Sequence, residues 1–310
     1  MATETPPGYK AGFVAVVGRP NVGKSTLINA LLGQKIAAVS PKPQTTRRIQ
    51  LGILTLDNAQ LVFMDTPGIH KPVHKLGEYM NEAAIQTLED ADIILWLVDA
   101  SVEPTDEDQI VAGRLSEIKN KAPVLLALNK VDLISGPALE SRQAAYQALL
   151  PGALPLRISA INGYQMDQLL QEMVARAPEG EPFYSEDQVT DLYERDIAAD
   201  LIREAALVHL RDEVPHALAV RIDDFTEREN GGAHIGATLL VERDSQKGIV
   251  IGKGGEMLKA IGTTARHEIE AMSGRKVFLE LRVKVNKNWR DDPFVLNLLG
   301  YVNEKKKKRK

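Results

Sequence analysis

The stretch Gly18-Arg19-Pro20-Asn21-Val22-Gly23-Lys24-Ser25 constrains this chain more than any other. It fits G-x-x-x-x-G-K-S/T, a loop whose backbone N–H groups cradle phosphates. The flanks are those the motif requires. Residues 13–17 are a short β-branched run that reads as a buried parallel strand, and residues from Thr26 to Leu32 have helix-forming composition and stop at Gly33. N–H groups converging at a helix N-terminus, with the helix dipole behind them, favour an anion. Glycines at 18 and 23 admit phosphates at close range, Lys24 brings charge to the β- and γ-phosphates, and the Ser25 hydroxyl is a ligand for Mg2+.

After this loop the chain alternates strand and helix. Residues 51–56 and 61–64 read as strands joined by Asp57-Asn58, and 93–98, 124–128 and 156–158 as apolar strands. Helical patterns fall at 77–88, 106–118, 139–150 and 166–176. The alternation predicts an α/β domain, a mostly parallel sheet with helices on both faces. Residues 34–50 carry Pro41 and Pro43 and read as a long loop. Pro178-Glu179-Gly180-Glu181-Pro182 ends the pattern as a linker. The expected organisation is a nucleotide-binding domain over 1–177, a linker over 178–190, a second domain over 191–290 and a basic tail over 291–310.

Four motifs fall at strand ends, where ligands bind in open α/β sheets. Asp65-Thr66-Pro67-Gly68 follows an apolar strand, so Asp65 would hold Mg2+ through water and the Gly68 N–H reach a γ-phosphate. Thr45 or Thr46, on the long loop, would add a hydroxyl to the metal, with Thr46 favoured. Asn129-Lys130-Val131-Asp132 selects the base. One carboxylate can accept from both N1–H and the exocyclic amine of guanine, whereas adenine would leave Asp132 unpaired. Asn129 would bond to the base edge or brace the phosphate loop, the Lys130 stem would pack on the ring, and Ser159-Ala160 would supply an N–H towards the guanine carbonyl. GTP or GDP with Mg2+ is therefore the expected cofactor. Ile69 stands where Ras-like enzymes carry a water-orienting glutamine. Arg47 and Arg48 read either as charge stabilisers or as solvated loop residues. Asn21 reads either as a turn-former or as a ligand for K+ beside the phosphates. Lys24, Thr46, Gly68 and Asn21 are the candidates for catalysis.

The second domain is different in kind. A helix over 191–211 precedes strands at 217–222 and 235–241 joined by Asn230-Gly231-Gly232. Met257, Ile261, Ala265, Ile269 and Met272 then recur at helical spacing, and Val277 to Val285 alternate with mostly charged residues. Ahead of that helix, Ile251-Gly252-Lys253-Gly254-Gly255 contains G-x-x-G, which lets a nucleic-acid backbone approach closely while Lys253 and Lys259 bring charge. Two strands before and one after match the α+β type II KH arrangement. The charge balance agrees. From Glu242 onward there are 17 Lys and Arg against 9 Asp and Glu, although the whole chain is at −4. The closing run Lys305-Lys306-Lys307-Lys308-Arg309-Lys310 would aid RNA binding, touch acidic lipid or remain solvated. Trp289 and Phe294 fit a core or lid better than base stacking.

The absence of Cys removes disulfides and thiolate metal sites and suits a reducing cytosol. No signal peptide or membrane-spanning run is expected, and the six His show no metal-ligand spacing. Together the two halves resemble the Era family of bacterial GTPases, through residues 18–25, 44–48, 65–68, 129–132, 159–160 and 252–255. The resemblance implies a TRAFAC-class GTPase domain joined to a type II KH domain, binding near the 3′ end of 16S ribosomal RNA and acting in 30S subunit assembly. It further implies loose peripheral contact with the membrane, and an apolar residue at Ile69 is usual within it; a monomer in the cytoplasm is expected. A signalling GTPase whose C-terminal domain binds protein is the alternative. A P-loop kinase or ATPase is a third reading, which Asp132 opposes.

Overall fold

The computed structural model describes residues 6–301 apart from 41, 43, 44, 70, 120, 229 and 230. Gln44, Asn230 and the 305–310 run therefore lie outside the described residues. The chain divides into two compact units. Met1–Ala37, Thr46–Lys71 and Met80–Asp191 form the first; Ala38–Thr45, Pro72–Tyr79 and Leu192–Lys310 form the second.

The elements of the N-terminal part run β1 (Lys10–Val17), α1 (Lys24–Leu32), β2 (Gln50–Leu56), β3 (Ala59–Asp65), α2 (Lys75–Asp90), β4 (Ile93–Asp99) and α3 (Asp106–Glu117). β5 (Val124–Asn129), α4 (Pro137–Leu149), β6 (Leu154–Arg157) and α5 (Met166–Arg176) complete it. The sheet order is β2-β3-β1-β4-β5-β6, parallel throughout except for the β2–β3 hairpin. Its central strands are apolar on both faces, as a sheet covered twice must be. Alternate residues of β1 show it. Val14 and Val16 pack with Leu27, Ile28, Leu169 and Met173 from α1 and α5. Ala15 and Val17 pack with Leu88, Val111, Leu115 and Tyr146 from α2, α3 and α4. β1 lies between β3 on one side and β4 on the other, so strand order reverses there and a crevice opens beyond its carboxyl end.

The segment whose composition reads as a linker is hydrogen-bonded along this first unit. The Ala11 N–H donates to Pro178 O (3.0 Å), the Gln60 side chain to Tyr184 O (2.9 Å), and the Ile53 N–H to Val189 O (2.9 Å). Backbone groups that a free strand edge would leave to water are satisfied by this segment.

The second unit contains α6 (Glu194–His209), β7 (Ala219–Glu227), β8 (Ala233–Val241), α7 (Asp244–Ile251), α8 (Glu256–Ser273), β9 (Val277–Val285) and α9 (Pro293–Leu298). β7 and β8 are antiparallel, and β8 and β9 are parallel. Ile197, Leu201 and Ala205 of α6 meet Ile261, Ala265 and Ile269 of α8 over Ile235, Ala237 and Leu239 of β8. The strict alternation in β9 turns Val277 inward and leaves Phe278 exposed. Trp289 is fully buried and its indole N–H donates to Ala217 O (2.9 Å), which makes it a core residue. Phe294 is exposed on α9, a short helix with no expected counterpart.

Candidate functional site

The phosphate loop follows β1 into the crevice. Gly18 is where geometry leaves no choice: a Cβ there would lie 2.3 Å from Leu97 O, so only glycine lets the loop rest on β4. Gly23 O accepts from Leu27 N (2.9 Å) and starts the ladder of α1. Lys24 is buried, and its ammonium donates to Gly18 O and Arg19 O, both at 3.1 Å. Burial pulls the Lys24 pKa down to about 8, with the Asp65 charge opposing the shift. Thr26 stands half-buried in the first turn.

Ser25, Thr46 and Asp65 meet beside it. The Ser25 hydroxyl donates to Asp65 Oδ2 (2.7 Å) and lies 3.0 Å from Thr46 Oγ1, which also donates to Asp65 Oδ2 (3.1 Å). Two hydroxyls and a carboxylate are hard oxygen donors of the kind Mg2+ takes, so this corner fits the ion. Thr45 turns away, its hydroxyl donating to Lys42 O (2.8 Å). Among the described residues no group of three His, Cys, Asp or Glu could hold a metal. Thr66 Oγ1 donates to Val16 O (2.7 Å), and Gly68 lies so near Pro20 that a Cβ would come within 2.9 Å of it. Ile69 packs into the core with Met64 and Ala84, so its side chain faces away from water. Arg47 is buried and Arg48 half-buried, neither one a freely solvated loop residue.

At the base-binding end, Asn129 is a brace. Its Nδ2 donates to Val22 O (2.8 Å) and its Oδ1 accepts from Ala160 N (3.0 Å). The Ser159 N–H donates to Tyr164 O (3.2 Å), so both N–H groups of Ser159-Ala160 have partners within the protein. The reason is burial: the Asn129 side-chain carbonyl is out of water and needs a donor. Asp132 is exposed, and its Oδ1 accepts from Ser159 Oγ (2.6 Å). Lys130 is left-handed (φ 65°) and its ammonium donates to Asn21 O (2.9 Å) and Asp99 Oδ2 (2.6 Å). Asn21 is itself left-handed (φ 64°).

Asp99 and Asp108 belong to no motif, and sequence reasoning passes over them. Burial alone would raise the Asp99 carboxyl, but hydrogen bonds from Lys130 and Ser101 hold it below the usual carboxylate range. The Arg19 Nε donates to the buried Asp108 (3.1 Å), which also caps α3 through Thr105. The available signal was an acidic residue ending an otherwise apolar strand, Val98-Asp99.

In the second unit Gly252 (φ 74°) turns the chain between α7 and α8, and a Cβ there would lie 2.7 Å from that of Met257. Ile251 is half-buried, and Lys253 and Lys259 are exposed. Between α8 and the edge strand β9 runs an open groove of about 460 Å³, lined by Gly255, Lys259, Gly262, Arg266, Phe278 and Leu281 among others. Gly262, Arg266 and Phe278 are absent from the motif. The 255, 259, 262 and 266 positions share one helical face, so the groove wall was legible from period alone once α8 was recognised.

A family described as 50S ribosome-binding GTPase matches residues 13–130, and the KH domain family matches 213–290. The chain is 49% identical over 297 residues to GTPase Era of Ruminiclostridium cellulolyticum, covering 96% of this chain and 99% of that protein. It is 47% identical to GTPase Era of Caldicellulosiruptor saccharolyticus, covering 94% and 98%. Two crystal structures superpose with TM-score 0.90 at 40% identity, covering 95% of this chain and 100% of each. One is Era with MgGDPNP and nucleotides 1506–1542 of 16S ribosomal RNA; the other is a point variant of Aquifex aeolicus Era with GDP·AlF4−.

Lys24 should give nucleotide binding a pH signature. A bound phosphate raises the ammonium pKa above its free value of about 8, so the complex keeps a proton that the free protein loses as pH rises. Affinity for a guanine nucleotide should be greatest below that value and fall above it, by up to about ten-fold per pH unit. Equilibrium titration across this range checks it. Lys24→Met should bind weakly and without that slope, and a flat wild-type profile contradicts the assignment.

Proposed function

The chain belongs to the Era family of GTPases, and from that premise we propose that its GTP hydrolysis switches an RNA-binding groove in small ribosomal subunit assembly. The observation that carries the reading is the convergence of Ser25, Thr46 and Asp65 within 3.1 Å beside the buried Lys24. Residues 18–26 bind the β- and γ-phosphates, Lys24 adding the charge. Ser25 and Thr46, with Asp65 through water, would hold Mg2+, which would supply positive charge to the phosphates. Thr46 belongs to the long loop, so its hydroxyl responds to the third phosphate, while the Gly68 N–H meets that phosphate from the other side. Asp132 accepts from the guanine edge, and Ser159 orients the carboxylate.

The related Era crystal structure with MgGDPNP supports the nucleotide and the metal, and its nucleotides 1506–1542 of 16S RNA support RNA as the partner. That complex disfavours a C-terminal domain devoted to protein alone. Ile251, Gly252, Lys253, Gly254, Gly255 and Lys259 form the proposed RNA contact, with the 30S subunit as the larger partner. The proposed setting is the cytoplasm, as a monomer, with peripheral membrane contact through the basic tail. No helix among the described residues is long and apolar enough to cross a membrane.

Because the Ile69 side chain is in the core, water and charge at the γ-phosphate must be managed by other groups. K+ beside the phosphates, with Asn21 as a ligand, would supply transition-state charge of the kind an arginine supplies elsewhere.

Two measurements test this reading. Asp132→Asn replaces an acceptor by a group that can donate to the O2 of xanthine. GTP affinity should fall by about 100-fold or more while XTP affinity rises; unchanged GTP binding would remove base selection from Asp132. Steady-state hydrolysis at equal ionic strength should run faster in K+ than in Na+, with the difference abolished by Asn21→Ala. Equal rates in the two salts would return Asn21 to a turn-forming role.

A further inference from the structure

Phe278 lies at the end of the groove away from Gly255. The eleven rises from Gly255 to Arg266 along α8 span about 16 Å. β9 starts just after the C-terminal end of α8 and sets Leu281 against Gly262. Phe278, three residues before Leu281, therefore lies towards Arg266, and both line the groove. The residue is 53% exposed although it is aromatic. It is not alone. His234, opposite it on β8, stacks on it with centroids 5.5 Å apart and planes 16° apart, and the Arg228 guanidinium lies 5.1 Å from its centroid.

The neighbouring carboxylates are engaged with other groups. Asp224 is hydrogen-bonded to His234 (2.9 Å) and Thr226 (3.0 Å), Glu227 pairs with Arg275 (3.0 Å), and Glu280 pairs with Arg282 (2.7 Å). An exposed aromatic with a guanidinium over it, lining a groove whose wall carries Lys259 and Arg266, is the combination that holds single-stranded nucleic acid by stacking.

We propose that Phe278, with Arg228 and His234, is a nucleobase-stacking position that carries single-stranded RNA past the groove onto the open face of the β7-β8-β9 sheet. The inference rests on the RNA-binding reading of the groove. The G-x-x-G loop clamps about four nucleotides; the stack takes a base beyond them. Arg228 then covers the base or meets the adjoining phosphate. Stacking tolerates any base, so this position adds affinity and reach without sequence preference.

The test titrates the full-length protein, loaded with GDPNP, with RNA corresponding to nucleotides 1506–1542 of 16S RNA. Single strands cut from it to about four and about eight nucleotides complete the series. Phe278→Ala should weaken the eight-mer and the whole segment by about ten-fold and leave the four-mer within about two-fold. Phe278→Leu, which keeps the apolar bulk, should lose as much, and Phe278→Tyr should restore binding. A 2-aminopurine beyond the clamped four should be quenched on wild type and not on Phe278→Ala. Equal losses at both lengths, no loss at either, or unchanged quenching overturns the stacking position while leaving the groove intact. If wild type binds none of these RNAs, the RNA reading fails and takes this inference with it. Four-mer affinity within about two-fold of wild type reports that the second unit, which carries Phe278, keeps its fold, and GDPNP affinity without RNA should be the same in all variants.

Discussion

The first unit depends on how closely its phosphate loop lies on the ends of the central strands. At Gly18 the margin is smaller than a methyl group, because Leu97 O occupies the space a Cβ would need. Distant segments then hold the loop there. Thr66 fastens Val16, Asn129 fastens Val22, Lys130 fastens Asn21, and Arg19 is tied to Asp108. These contacts join residues 50 to 109 positions apart, so the site exists only when the strands that carry them are assembled. N–H groups fixed in advance need little reorganisation when charge develops on a phosphate, which is the physical advantage of such a frame. The buried Lys24 ammonium fits the same picture, since desolvation lowers its pKa to about 8 and an arriving anion would stabilise its charge.

The second unit solves a related problem more cheaply in side chains. Its loop at 252–255 lets a polymer backbone come close, and the wall of α8 presents Gly255, Lys259, Gly262 and Arg266 along one line. Small residues keep the groove open, and charged ones favour phosphates. The apolar core behind it, from Ile197 to Val277, makes α8 and the sheet a fixed frame.

The strands, the helices and their order were legible because buried parallel strands are continuous apolar runs and α8 has a clean helical period. Motifs at strand ends named the nucleotide residues. What sequence could not distinguish was orientation. Thr45 and Thr46 are chemically alike, and only the fold turns the second towards Ser25 and Asp65. Asn129 had two possible partners, and the buried carbonyl of Val22 and the Ala160 N–H take it. Asp99 and Asp108 belong to no motif because their role is to hold other residues; Asp99 left only the trace of an acidic residue ending an apolar strand, and Asp108 none. Phe278 looked like one more residue in an alternating strand; its exposure depends on which face α6 and α8 cover.

The central claim is that nucleotide and RNA act on one equilibrium. Linkage makes that claim reciprocal: if GDPNP strengthens RNA binding over GDP by some factor, RNA must strengthen GDPNP binding over GDP by the same factor. Calorimetric titration around the full cycle, with nucleotides 1506–1542 as the RNA, measures both factors independently. The account predicts equal factors of about five-fold or more. RNA affinity that is the same with GDPNP, with GDP and without nucleotide would contradict it.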